Sequence, residues 1–384
     1  MTPATRAAIL GLTAILIGLP LPSWGFFFLH VIPDGHTDFR AYHTAGYLLR
    51  TGMPLYDYRL ELEVQHLNES FEVVRAFFIH PAYEALLYVP LSFLSYLQAY
   101  WVWVAVNLVI LVCVYRLLRP ELSPLFAVAS WVPAATFAAF LPIGAAVMQG
   151  QDSVLVLLLC TLAFNYFRDS EHLLIAGMFL GLAVFRFQII VPIIFCFLLW
   201  RRWKVVMGFL ITSIGAAAVS IAIAGFWPYV HMVLGLSVQP EFAYLQPASR
   251  MPNIRGLIHS LGGNDWMVLI ASLTVLGIAV LAASKCDLQQ QFSLAITTAA
   301  LVSYHGFAHD LCTVFIPLAL LISKKQQSAL VVAGICFFTP SLVTFVPNHS
   351  YIGVISGLVL FAFLVITLRH SRTDPLFAGG AESF

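Results

Sequence analysis

Charge is scarce in this chain. Asp, Glu, Lys and Arg make up 10% of its 384 residues, against 60% hydrophobic residues, and the mean hydropathy is +0.90. A soluble fold of this length has no interior large enough to hide so much apolar surface, which excludes a soluble globular protein. Cysteine is sparse as well. Of the six present, Cys113, Cys160, Cys196, Cys312 and Cys336 lie in or beside apolar runs, and Cys286 sits in a short polar turn. No CxxC and no Cys/His zinc spacing occurs, so a disulfide framework is not indicated and buried thiols are expected. There is no Walker A sequence, hence no sign of an ATP-driven pump, and neither GxSxG nor HExxH is found. No cytoplasmic nucleotide-binding domain is evident, so a nucleotide-sugar donor has no obvious place to bind.

What the chain has instead is long apolar runs. Ala7 to Leu29, Val205 to Gly225 and Tyr351 to Leu368 reach or approach the length that crosses a hydrocarbon core. The pattern predicts an all-α, polytopic membrane protein in one domain over 1–384, with about twelve crossings. They fall at 7–30, 99–118, 124–142, 152–167, 172–184, 188–200, 205–225, 265–283, 291–305, 311–323, 328–346 and 350–368. The first run is too long for the apolar part of a signal peptide, and Leu19-Pro20-Leu21-Pro22 is a poor cleavage context. It is expected to remain as the first helix. The short runs around 152–200 and 291–323 suggest truncated or tilted helices beside a cavity.

Basic residues set the expected orientation. With the N-terminus in the cytoplasm, twelve of the nineteen Lys and Arg residues fall in short inner turns: Arg6, Arg116, Arg119, Arg168, Arg201, Arg202, Lys204, Lys285, Lys324, Lys325, Arg369 and Arg372. Both termini are then cytoplasmic, and ten of the twelve histidines lie on or near the outer face. Two long outer loops follow, at about 31–98 and 226–264. Both are rich in aromatic residues and Leu. The helical pieces at 38–50 and 58–76 read as amphipathic helices lying along the membrane surface.

Three groups of residues carry chemistry. Asp38, Tyr42, Ala45, Gly46 and Leu49 share one helix face just after the first crossing. Asp38 fits either a general base or an N-cap, and the cap is the commoner role of such a residue. His305, His309 and Asp310 sit between two apolar runs. The two histidines are four apart, as metal ligands are, but no clear third ligand accompanies them. Hydrogen bonding to an anionic or sugar substrate is the better reading; the plain alternative is that His309 and Asp310 pair to cap helix ends. Arg186 and Gln188 interrupt an apolar stretch, and Arg250 and Arg255 flank Met251-Pro252-Asn253-Ile254. An Arg in an apolar setting needs an anion, either phosphate or an internal partner such as Asp152 or Glu84. Gly150-Gln151-Asp152 caps a further short helix and can turn polar atoms toward the same cavity.

In order, Asp38-Phe39…Tyr42…Ala45-Gly46…Leu49…Gly52…Leu55-Tyr56-Asp57, then Pro81…Pro90-Leu91, Gly150-Gln151, the Arg186/Gln188 break with Arg201-Arg202-Trp203-Lys204, and His309-Asp310 resemble glycosyltransferase family 87 of the GT-C superfamily. The resemblance spans nearly the whole chain. It implies about a dozen helices around an outward-facing cavity, a polyprenyl-phosphate sugar donor with mannose as the usual sugar, and transfer to a hydroxyl of a glycolipid or glycan. It further implies an inverting reaction with Asp38 as base, in the plasma (bacterial inner) membrane, facing the extracytoplasmic side. Tyr42, Gln151, Arg186, Gln188, Arg250, Arg255, His305, His309 and Asp310 are the expected substrate-binding residues, and no metal or other cofactor is expected. Two departures stand out: His80-Pro81-Ala82 replaces the commoner Tyr-Pro-Pro, and Arg186 stands where Lys is usual. The first bears on donor or acceptor specificity; the second keeps the charge. The rival reading from another class is a transporter or lipid flippase, which predicts two pseudo-symmetric halves and ionisable groups near the bilayer midplane. No such halves are apparent.

Overall fold

The computed structural model describes residues 37–69, 77–168, 170–234, 248–283, 287–343 and 351–370, together with Ala7, Leu10 and Gly11. All regular elements among them are helical. The first are α1 (Phe39–Arg50), α2 (Tyr58–Glu69), α3 (Ala82–Ala85), α4 (Tyr96–Leu118), α5 (Val132–Ala138), α6 (Leu141–Met148), α7 (Ser153–Tyr166), α8 (Leu173–Leu182) and α9 (Phe187–Leu199). Then follow α10 (Trp203–Ala224), α11 (Phe226–Val233), α12 (Ile254–Ser260), α13 (Asp265–Ala283), α14 (Leu288–Val302), α15 (Phe315–Ser323), α16 (Gln327–Val343) and α17 (Val354–His370). The expected crossing at 7–30 lies almost wholly outside the described residues.

Helices α4, α10 and α13 are long and apolar enough to cross a membrane singly. At 1.5 Å per residue they measure about 35, 33 and 28 Å, against a hydrocarbon core of about 30 Å. Their outer faces carry exposed Trp101, Leu108, Val109, Met207, Ile214, Trp266, Ile270 and Leu281. Apolar surface of that extent is covered by lipid rather than water. This is a helical membrane protein.

The fourth long apolar run, Leu173–Leu199, has 27 residues, but it folds back on itself. Gly177 abuts the Val205 carbonyl and Gly181 the Phe209 carbonyl. Both pairs advance together by four residues, so α8 and α10 run parallel, and α9 between them must return. The reversal falls at the 3-10 turn Ala183–Arg186, where Arg186 leaves helical geometry at φ −100°, ψ 56°. A side chain at Gly177 or Gly208 would meet backbone, so this close helix contact depends on small residues. The hairpin matches the expected division into 172–184 and 188–200.

Helices α7, α8, α9 and α14 measure only about 15 to 22 Å. They cannot span the hydrocarbon core alone; the turn before α7 and the turn between α8 and α9 meet where Arg186 bonds Asp152. The expected crossing at 124–142 is broken into a 3-10 turn, Ser123–Ala127, followed by α5 and α6. Pro124, Pro133 and Pro142 each stand at the start of one piece, where proline's missing N–H does no harm but a continuing helix cannot pass. The count of twelve full crossings is accordingly not what the described residues display.

At the opposite end of the bundle Arg168 pairs with Glu121, Trp200 Nε1 donates to the Val280 carbonyl at 3.2 Å, and Arg202 Nε donates to Gln291 Oε1 at 3.0 Å. The short basic turns thus gather on one side, away from Arg186. Cys160, Cys196, Cys312 and Cys336 are buried free thiols, while Cys113 faces outward.

Candidate active site

The site is assembled around α1. The expected helix at 38–50 is present at Phe39–Arg50, but it does not lie with one face open along a surface. Nine of its residues, from Phe39 to Gly46 and Leu48, are buried. Residues 82–103 cover the face that sequence alone would leave to the interface: Tyr42 stacks on Tyr88 with centroids 4.9 Å apart, and Phe39 packs edge-on against Tyr100.

Asp38 occupies the N-cap position, yet its side chain makes no capping hydrogen bond. Its Oδ2 instead accepts from Gln151 Nε2 at 2.5 Å. The plain capping role is therefore not the one the carboxylate performs. The loop that supplies Gln151 is clamped by aromatic side chains of α4: Tyr100 donates to the Met148 carbonyl at 2.7 Å and Trp103 to the Gly150 carbonyl at 3.0 Å. Trp103 lies about two turns into α4, which sets this loop about 10 Å below the helix start. Gly150 adopts φ +63°, and a Cβ there would stand 2.6 Å from Phe39 Cβ. Only glycine allows α1 and this loop to approach so closely.

Gln151 has one productive orientation. Its amide donates to Asp38, while its Oε1 accepts from Tyr42 Oη at 2.8 Å and from Arg186 Nη2. Arg186 is the hub of the network. It is 5% exposed, its Nε donates to Asp152 Oδ1 at 2.6 Å, its Nη2 donates to Tyr42 Oη at 2.9 Å and also reaches Asp152 Oδ1, and its Nη1 lies 3.5 Å from Asp310 Oδ1. The internal ion pair with Asp152, one of the two sequence-based alternatives, is thus realised. Asp310 Oδ1 also accepts from Ser153 Oγ at 3.2 Å, and its Oδ2 accepts from the Phe307 amide at 2.9 Å. Asp310 therefore caps its own 3-10 turn with one oxygen and faces Arg186 with the other. His309 Nε2 stands 3.6 Å from Asp310 Oδ2 with no hydrogen-bond partner, and the charges of Asp38, Asp152, Asp310 and Arg186 all act on its ring. One continuous polar chain runs from Asp38 to His309.

On the far side of Asp152 lie His80 and Glu84, which were not among the expected site residues. His80 Nδ1 is 2.7 Å from Glu84 Oε2 and 3.3 Å from Asp152 Oδ2, and both carboxylates are fully buried. Burial alone would push the His80 imidazole down, but the Glu84 and Asp152 carboxylates outweigh it and carry its pKa up to about 9. Burial pushes the Glu84 carboxyl up to about 8, against the pull of His80 and with the help of Asp152. His80 and Glu84 therefore hold their protons as one unit beside Asp152, whose other oxygen faces Arg186. The sequence signal for this cluster was the four-residue spacing of His80 and Glu84; Asp152 joins them only through the fold.

Atoms of His80, Glu84 and Asp152 lie within 4.8 Å of one another, a donor set that suits a divalent cation by type. The 2.7 Å separation of His80 and Glu84 is a hydrogen-bond length. Ligands at about 2.0–2.2 Å from a shared cation stand about 3 Å or more apart. Arg186 on the other Asp152 oxygen adds a repelling charge. The geometry is that of a shared proton.

The other candidates divide. Arg255 is held in α12, which Asn253 caps by accepting from the Gly256 amide at 2.9 Å while donating to the Ser303 carbonyl at 2.8 Å. This sets the Arg255 guanidinium 3.8 Å over the Tyr304 ring. His305 packs edge-on against Phe307 at 4.8 Å, and it feels the charges of both Arg186 and Arg255. Arg250 is exposed, in the 3-10 turn Ala248–Arg250, and does not join the network. Neither does Gln188, half-buried in the first turn of α9 beyond the break at Arg186. Behind Asp310 a small apolar cavity is lined by Phe140, Pro252, Leu301, Leu311 and Gly357; it holds no charged group.

Residues 78–308 match the family model described as Glycosyltransferase family 87. No curated protein and no solved structure matches the chain. The matched stretch contains His80, Glu84, Gln151, Asp152, Arg186, Arg255 and His305; Asp38, His309 and Asp310 lie outside it. Since it covers more than half of the 384 residues, this membrane protein belongs to glycosyltransferase family 87.

Proposed function

We propose that the protein transfers a hexose, mannose in the first instance, from a polyprenyl-phosphate sugar to a hydroxyl of a glycolipid or glycan. The observation that carries this reading is the use of Asp38: at a cap position its carboxylate is withheld from capping and tied through Gln151 to a buried arginine. Asp38 takes the proton of the acceptor hydroxyl as that oxygen attacks the anomeric carbon. The new bond forms on the face opposite the phosphate, the bond from the anomeric carbon to the phosphate oxygen breaks, and configuration inverts. Polyprenyl phosphate leaves with the bonding pair. Arg186, His305 and His309 face the phosphate and the sugar, with Arg255 beside them, and stabilise the leaving charge. The transfer takes place on the extracytoplasmic side, and the depth of the site below the start of α4 keeps the lipid-borne donor within reach. The arginines supply the positive charge for one phosphate and the two imidazoles supply hydrogen bonds, so no divalent cation is needed.

The test is to incubate purified protein with polyprenyl-phosphate-mannose and a glycolipid extract and read acceptor masses. A gain of one hexose supports the reading. Donor carried across vesicle membranes with no acceptor modified supports the transporter instead.

A further inference from the structure

His80 and Glu84 touch neither the base nor the groups assigned to the phosphate, yet they form the most deeply buried ionisable pair among the described residues of the first outer loop. His80 is held from every side. Its ring stacks on Phe78 at 5.6 Å, meets the Tyr42 ring edge-on at 5.4 Å, and its carbonyl accepts from Tyr56 Oη at 2.9 Å. Its Nδ1 points between Glu84 and Asp152. The Asp152 carboxylate is split accordingly: Oδ1 takes Arg186 and Tyr42, while Oδ2 lies 3.3 Å from His80 Nδ1 and accepts no hydrogen bond, the His80 Nδ1 hydrogen bond going to Glu84.

We propose that His80 is a positioning residue for Arg186: its positive charge, 3.3 Å from the second oxygen of Asp152, offsets that carboxylate and leaves the guanidinium positive enough to attract the phosphate of the donor. The proposal rests on the transferase reading above. Arg186 faces two carboxylates, Asp152 and Asp310. Without a second cation the buried array would carry net negative charge where an anion must dock, and in a partly dehydrated site that repulsion acts at nearly full strength. His80 supplies the missing charge from behind Asp152, where it takes no space from the substrate. The charged or titratable groups facing it are Glu84 on α3, Asp152 ahead of α7, Arg186 beyond Asp152, and the Tyr42 phenol on α1.

Donor KM and kcat are to be measured against pH for the wild type, His80→Gln and His80→Lys. Gln keeps a donor of similar reach and loses the charge; Lys restores the charge. The expected result is a donor KM raised about tenfold in His80→Gln at neutral pH, from one removed charge at effective dielectric near 20. kcat should fall as well, because Arg186 also faces the leaving phosphate, but far less than on loss of the base, and His80→Lys should recover part of both losses. The wild-type KM should rise as pH passes about 9, and the His80→Gln KM should not. Thermal unfolding in detergent gives a readout that needs no activity. Folded pKa values raised to about 9 for His80 and about 8 for Glu84 mean that the folded state holds more protons, so stability falls as pH rises from 6.5 to about 9. That slope should be shallower in His80→Gln. Unchanged donor KM in His80→Gln, or the same stability slope in both proteins, overturns the proposal. A wild type without transferase activity but with the slope and its loss would defeat the function above and leave the charge assignment standing.

Discussion

At one end of the bundle Arg168 reaches Glu121 with 39% of its side chain still exposed, whereas at the other Arg186 is 6% exposed and is shared among Asp152, Asp310, Gln151 and Tyr42. The residue type is the same and the setting is opposite. At the first end water solvates the guanidinium, and such pairs add about 0–1 kcal/mol. At the second, two carboxylates and a guanidinium have been taken out of water together, an arrangement that is costly unless every partner is in place. Such an array adds little to the fold, and ionisable groups buried in an apolar protein of this kind are usually kept for function.

The largest difference between the two ends should appear on removing each arginine. Arg186→Ala leaves Asp152 and Asp310 buried without their cation and should cost about 3–5 kcal/mol of stability and all measurable transfer. Arg168→Ala should cost about 1 kcal/mol or less. Thermal unfolding of both variants in detergent checks this, and equal losses would break the comparison. A smaller effect is expected at the loop that joins base to arginine. Gly150→Ala forces a left-handed backbone on a residue with a Cβ and presses it against Phe39, for about 1–2 kcal/mol and a fall in kcat as Gln151 shifts. An alanine at Gly215, where nothing lies within 4 Å, should leave both unchanged. The smallest effect concerns metal: a chelator should leave the transfer rate as it is, measured at matched donor concentration. Loss of activity restored by Mg²⁺ or Mn²⁺ would place a cation where the distances indicate a proton.

Local pattern reached far in this chain, and it stopped where contacts span long distances in sequence. The start and end of α1 were readable because Asp38, Tyr42, Ala45 and Leu49 keep helical period. The reversal at Arg186 was readable because charge cannot continue an apolar run. That the Asp38 carboxylate bonds Gln151 instead of capping was not, because Gln151 is 113 residues away and an N-cap looks the same in sequence whether or not its side chain caps. Reading α1 as a surface helix failed for a related cause: residues 82–103, which bury it, leave no trace in its own periodicity. Gln188 was selected for its polarity beside Arg186, but the chain breaks at Arg186 and Gln188 starts a new helix outside the network. His80 and Glu84 were noticed singly, as a family departure and as one conceivable ion-pair partner. Only the approach of Asp152 from another helix makes them a cluster.

The account depends above all on Asp38 acting as the base. Transfer by wild type and Asp38→Asn should be compared in one reconstituted preparation, with polyprenyl-phosphate-mannose as donor and with matched unfolding temperatures establishing that both are folded. The account predicts donor binding retained and kcat lowered by about 10²–10⁴ in Asp38→Asn. Near-normal transfer by a folded Asp38→Asn protein would contradict it.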